Sequence, residues 1–132
     1  MTTIESNEAL VNKSAEEVYL FLSDFRNFEK LMPEQVTNWK ATDEECSFTI
    51  KGMASLGMKI KNKNPNSLIE IESSGKVPFN FTMKCMIAGK QQQSSVKLLL
   101  EADMNPMLKM LAEKPLTNFL NMLVNRLAEI SA

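Results

Sequence analysis

The side chains that could do chemistry in this chain are few. Cys46 and Cys85 are its only thiols, Tyr19 its only phenol, Arg26 and Arg126 its only guanidinium groups, and it has no histidine. Without histidine the commonest general acid or base near neutral pH is missing, and so is the commonest metal ligand. Proton transfer would fall to carboxylates, Tyr19, lysines or the two thiols. The thiols stand far apart with no CxxC spacing, so neither a zinc site nor a redox pair is indicated. They read as small buried hydrophobes that form no disulfide. So few arginines also disfavour a phosphoester site, because the planar guanidinium fork is what grips phosphate in bidentate fashion. No catalytic residue and no metal ligand is assigned, and no cofactor is expected.

Composition narrows the classes further. With 132 residues, 44% hydrophobic and 23% charged, the chain reads as one globular domain over residues 1–132. Its 15 basic residues against 16 acidic ones leave a net charge of -1. That balance gives no general attraction to phosphate backbones or anionic membranes, so no nucleic-acid partner is expected. The opening MTTIESNEALVN has neither the basic nor the apolar region of a signal peptide, and no apolar run is long enough to span a bilayer. A cytoplasmic location without membrane insertion is expected.

The elements that must position these residues follow from periodicity. Ser14-Ala15-Glu16-Glu17 is a capping box, and Val18, Phe21, Leu22 and Phe25 then recur at helical spacing. Asp24 or Arg26 should break this helix; Phe28, Leu31 and Met32 make a second short one that Pro33 ends. From about residue 36 the apolar period becomes two. Cys46, Phe48 and Ile50 form one row, Met58 and Ile60 the next, with Gly52 and Gly57 bracketing a hairpin. Ile69 and Ile71 follow the turn at 62–66. Phe79, Phe81, Met83, Cys85 and Ile87, then Val96, Leu98, Leu100 and Ala102, complete the inward rows. For the first strand two parities compete, one placing Ile4 and Leu10 inward, the other Ala9 and Val11 with Asn7 at a cavity mouth.

The opposite face carries Lys51, Lys59, Lys61, Lys84 and Lys97 among Glu70, Glu72 and Glu101, as a solvated sheet face should. Its apolar side needs a cover. The C-terminal segment supplies one: Asn105 is the N-cap, Pro106 the first helical position, and Leu116, Phe119, Leu120, Leu123 and Leu127 hold one stripe. Pro115 should kink or split that helix.

A strand, two short helices, a long antiparallel meander and a long terminal helix together resemble the helix-grip fold of the START and birch-pollen-allergen superfamily, also called SRPBCC. The stretch Ser14 to Phe25 is similar to that superfamily's first helix, and Asn105-Pro106-Met107-Leu108 onward to its gripped helix. The resemblance spans essentially the whole chain. It implies an α+β domain in which a curved antiparallel sheet of six or seven strands wraps around the C-terminal helix and encloses an apolar cavity, with two short helices after strand 1. Members include lipid carriers, hormone receptors, cyclases and a co-chaperone, so the resemblance informs fold more than function.

The expected lining of that cavity is Phe48, Ile50, Met58, Ile60, Ile71, Phe81, Met83, Cys85, Leu98, Leu100, Met107, Met110, Phe119 and Met122. Ten methionines give it flexible, polarisable side chains that repack around varied ligands. Trp39 at a strand start reads as core edge, with a ligand platform as the alternative. The expected function is non-catalytic binding of a small hydrophobic or amphipathic ligand by a monomer or weak homodimer. The competing expectations are a cyclase- or hydratase-type enzyme, which needs convergent polar groups, and a protein-interaction module with a filled cavity.

Overall fold

The computed structural model describes residues 1–130. Eight strands form one antiparallel sheet: β1 (Thr2–Glu5), β2 (Ala9–Val11), β3 (Val36–Ala41), β4 (Glu45–Ile50), β5 (Ala54–Asn64), β6 (Leu68–Ser73), β7 (Phe81–Lys90) and β8 (Gln93–Ala102). Helices α1 (Ala15–Leu22) and α2 (Phe25–Phe28) follow β2, a 3-10 turn occupies Glu29–Leu31, and α3 (Pro106–Ile130) ends the described chain. The order across the sheet is β1-β8-β7-β6-β5-β4-β3, with β2 also pairing β8. The eight strands exceed the expected six or seven because the first strand is two. Ser6 interrupts it: its N–H donates to the Leu98 carbonyl at 2.9 Å, while its hydroxyl accepts from the Leu98 N–H at 2.8 Å. The parity changes across this break, so Ile4, Ala9 and Val11 are all buried and Asn7 is exposed. Each competing parity was right for half of the strand.

The helix starts obey local chemistry. Ser14 accepts from the Glu17 N–H at 3.2 Å while Glu17 accepts from the Ser14 N–H at 3.3 Å, a reciprocal capping box. Asp24 ends the first helix by capping α2, accepting from the Arg26 N–H at 2.9 Å. Its ion pair with Arg26 holds the Asp24 carboxyl below its ordinary range. Asn105 caps α3, accepting from the Leu108 N–H at 2.8 Å. Helix α3 runs unbroken through Pro115, so the expected split does not occur. Its 25 residues span about 37 Å.

The period-two rows face as expected: Phe48, Ile50, Phe81, Met83, Leu98 and Leu100 are all buried. On the outer face Lys59 pairs with Glu72 at 3.5 Å and Lys97 with Glu5 at 3.4 Å. Gly52, at φ +79°, does turn the β4–β5 hairpin, but Gly57 lies inside β5 opposite Ser47. Its reason is close approach. A Cβ there would stand 2.4 Å from the Ser74 carbonyl oxygen, and the Ser74 N–H donates to the Gly57 carbonyl at 2.9 Å.

Two covers share the inner face. Helix α1 lies over β6, β7 and β8, and Gly89 leaves room for its first residue, Ala15. Helix α3 packs on β1, β2, β8 and the 3-10 turn.

Candidate functional site

Where α3 crosses the sheet, the inward rows enclose a small void of about 20 Å3. Strand β4 contributes Phe48, β5 Leu56 and Met58, β7 Phe81 and Met83, and β8 Leu100. Phe79 and Met32 close two sides, and Leu116, Phe119, Leu120 and Leu123 reach in from α3. Such a volume holds one water at most. The expected cavity is thus almost filled by this chain's own side chains, because long methionines and wide phenylalanines converge on it from both layers. Every lining side chain is apolar, so the space offers shape and desolvation and no proton donor or acceptor.

Directly outside lies a larger space. An open groove of about 350 Å3 runs between α3 and the β4–β5 hairpin. Ile50, Lys51, Gly52 and Met53 form one wall, Leu111, Pro115, Asn118 and Met122 the other, and Pro33 and Gln35 one end. Phe119 lines both spaces, so its half-buried ring is the partition between them. That ring stacks on Phe48 with centroids 6.2 Å apart, and Phe48 in turn packs on Trp39 at 5.3 Å.

Of the fourteen predicted lining residues, Phe48, Met58, Phe81, Met83, Leu100 and Phe119 meet at the void, and Ile50 and Met122 border the groove. Ile71, Cys85 and Leu98 are buried on the same face but do not reach the void. Cys85 pairs with Ile69 and Leu98 one rung nearer the α1 cover than Met83. Ile60 is only half-buried, beside the register shift between Ile60 and Asn62. Met107 and Met110 require correction: they are 74% and 82% exposed. The helix extends past the sheet before its stripe meets it, and the buried face there begins at Ala112. Met122 is 39% exposed and sits at the groove's rim. Leu56 was missed although it shares the parity of Met58; Leu116, Leu120 and Leu123 were readable from the helical stripe. Met32, expected at helical spacing in the second short helix, sits instead in the extended link after the 3-10 turn, from where it reaches the void.

Burial pushes the thiols of Cys46 and Cys85 up to about 12, which leaves both protonated and unreactive near neutrality. They lie on β4 and β7 with two strands between them, and both are free. Tyr19 is half-buried against the core's edge. Among the described residues no group of three metal-ligating side chains converges.

No family profile and no curated protein matches this chain. Solved structures do. The protein XoxI from Bacillus cereus superposes with a TM-score of 0.79 at 12% identity, over 99% of this chain and 96% of that one. Norcoclaurine synthase from Thalictrum flavum superposes with a TM-score of 0.76 at 11% identity, over 98% of this chain and 85% of the enzyme. The fold is the helix grip. An uncharacterized protein from Bacillus thuringiensis has the same helix-grip arrangement, with a TM-score of 0.75 at 11% identity and 98% coverage of both chains. The same fold therefore supports a synthase, and a point mutant of that enzyme has been solved in complex with a transition-state analogue. Identities this low establish the helix grip and nothing about chemistry. Among the described residues no helix is long and apolar enough to cross a membrane.

Proposed function

We propose that this helix-grip protein binds a small apolar or amphipathic molecule without chemical turnover, in the groove between α3 and the β4–β5 hairpin. The ligand's apolar end would displace Phe119 and enter the void behind it. The observation that carries this reading is the position of Phe119, one ring dividing an open groove of about 350 Å3 from a wholly apolar void. Met32, Met58 and Met83 on the void side and Met53 and Met122 on the groove side can change rotamer at little cost, which suits a site that enlarges around its occupant. Each Å2 of ligand surface buried there gains about 25 cal/mol. A synthase-type reaction would need polar groups converging on the reacting end of the substrate; the void supplies none, and Gln35, Lys51 and Asn118 stand on different walls of the open groove outside it.

The test is titration with an uncharged naphthyl probe such as N-phenyl-1-naphthylamine. Wild type and Lys84→Asp should bind it saturably and Met83→Asp should not, because adjacent residues of β7 point to opposite faces. Wild type that shows no saturable binding overturns the reading. In that event the exposed Met107, Met110 and Leu111 favour the interaction-module reading, with a second copy of the chain as partner. Sedimentation equilibrium of wild type against Met110→Glu measures that directly.

A further inference from the structure

The Trp39 indole is the chain's single tryptophan, and its Nε1–H is buried without a hydrogen-bond partner, alone among the enclosed side-chain polar atoms of the described residues. An enclosed donor left unpaired costs stability, so its presence asks for an explanation. The backbone adds a second observation. Strand β3 carries a bulge: Thr37 pairs with Thr49 and Lys40 with Ser47, so Asn38 and Trp39 together oppose Phe48. Asn38 takes a left-handed φ of 55° to make it. Simple alternation from the half-buried Val36 would send Asn38 inward and Trp39 outward; the bulge exchanges them. The chain thus bends an edge strand to put an indole on the inner face and then leaves its N–H unmatched.

The indole stands at the β3 end of the ring row Trp39–Phe48–Phe119, tilted 31° on Phe48, whose other neighbour in the row is the partition Phe119. Phe48 both lines the void and packs on the indole. Trp39 itself lines neither the void nor the groove, so a ligand body that displaces Phe119 meets Phe48 first and reaches the indole only where Phe48 turns aside as well. We infer that Trp39 is the polar recognition point of the site, its Nε1–H donating to an uncharged oxygen acceptor, a carbonyl or ether, on an otherwise apolar ligand. An anionic acceptor is disfavoured, since the void provides no cation and its lining is apolar throughout. This inference rests on the binding reading above.

The test compares 2-acetylnaphthalene with 2-isopropylnaphthalene, which match in size and differ in one acceptor, by calorimetric titration of wild type and Trp39→Phe. The phenyl ring keeps the aromatic contact with Phe48 and removes the donor. The preference for the ketone over the hydrocarbon should fall about five- to tenfold in Trp39→Phe, with hydrocarbon affinity little changed. One indole also gives one Nε1–H cross-peak in a nitrogen–proton correlation spectrum. That peak should move downfield with the ketone and stay with the hydrocarbon. If both compounds bind and neither the preference nor the peak responds, Trp39 does not read an acceptor, although the binding site stands. If a resident water already satisfies the N–H, the free protein's peak lies downfield from the start and the ketone leaves it there, which also overturns the inference. If neither compound binds wild type, the binding reading falls and this inference with it.

Discussion

The inner face of the sheet is packed in two ways. At the α1 end Val18 and Leu22 of the helix and Ile69, Cys85 and Val96 of the strands beneath it are all essentially inaccessible, and Phe25 and Phe28 of the adjoining α2 pack edge to face at 5.2 Å. Under α3 the neighbours are mainly phenylalanine, methionine and leucine, and there the void and groove occur. The β-branched Val18, Ile69 and Val96 have few rotamers and interlock; the unbranched thioethers of Met32, Met58 and Met83 at the other end leave gaps that can be redistributed. One end of the sheet therefore serves as the rigid frame and the other as the adjustable one.

The strongest way to break that contrast is a buried charge. Met83→Asp should destabilise the fold by several kcal/mol, whereas Lys84→Asp on the wet face should cost less than about 1 kcal/mol, as urea unfolding would measure. Next come paired truncations. Phe25→Ala should cost about 3–5 kcal/mol and leave probe affinity unimproved, because its cavity lies in the interlocked end. Phe119→Ala should cost less, since that ring is half-exposed, and should raise probe affinity by joining groove and void. Equal costs and equal affinities would erase the distinction between the two ends.

Alkaline pH probes the frame through its thiols. Folding raises the Cys46 and Cys85 thiols from 9.0 to about 12, so the folded state holds these protons more tightly than the unfolded chain does. Their contribution is complete below about pH 9 and is lost as pH rises toward 12. The loss is on the order of 1.4 kcal/mol per pH unit for each thiol. Denaturant unfolding of wild type and Cys85→Ala between pH 7 and about 10.5 should show the shallower decline in the variant. The smallest effect is expected of Met83→Leu. It should change stability by less than about 1.5 kcal/mol while altering the preference among probes of different shape.

The interlocked end was the more legible in the sequence. Alternation in β4, β6, β7 and β8 assigns the faces, and the Ser14–Glu17 capping box and Asn105-Pro106 mark helix starts, because these signals are local. The candidate site was half legible for a matching reason. Strand parity placed Phe48, Met58, Phe81, Met83 and Leu100 correctly, but which turns of α3 touch the sheet depends on where the helix leaves it. Met107 and Met110 lie before that point and face water. The bulge that turns Trp39 inward was likewise invisible, since no glycine marks it; Asn38 supplies the left-handed residue instead.

Pro115 has no N–H to offer the Leu111 carbonyl, so one rung of the α3 ladder is missing where the exposed first turns join the buried remainder. The two parts of the helix are consequently free to differ in lifetime. Amides of residues 108–114 should exchange with solvent through local opening long before those of 120–127, which open only with the whole domain. Since Leu111 and Pro115 also wall one end of the groove, its width at that end follows the part of the helix that opens soonest, while Asn118 and Met122 hold the other end. Access would then be governed by a clock independent of the sheet's unfolding.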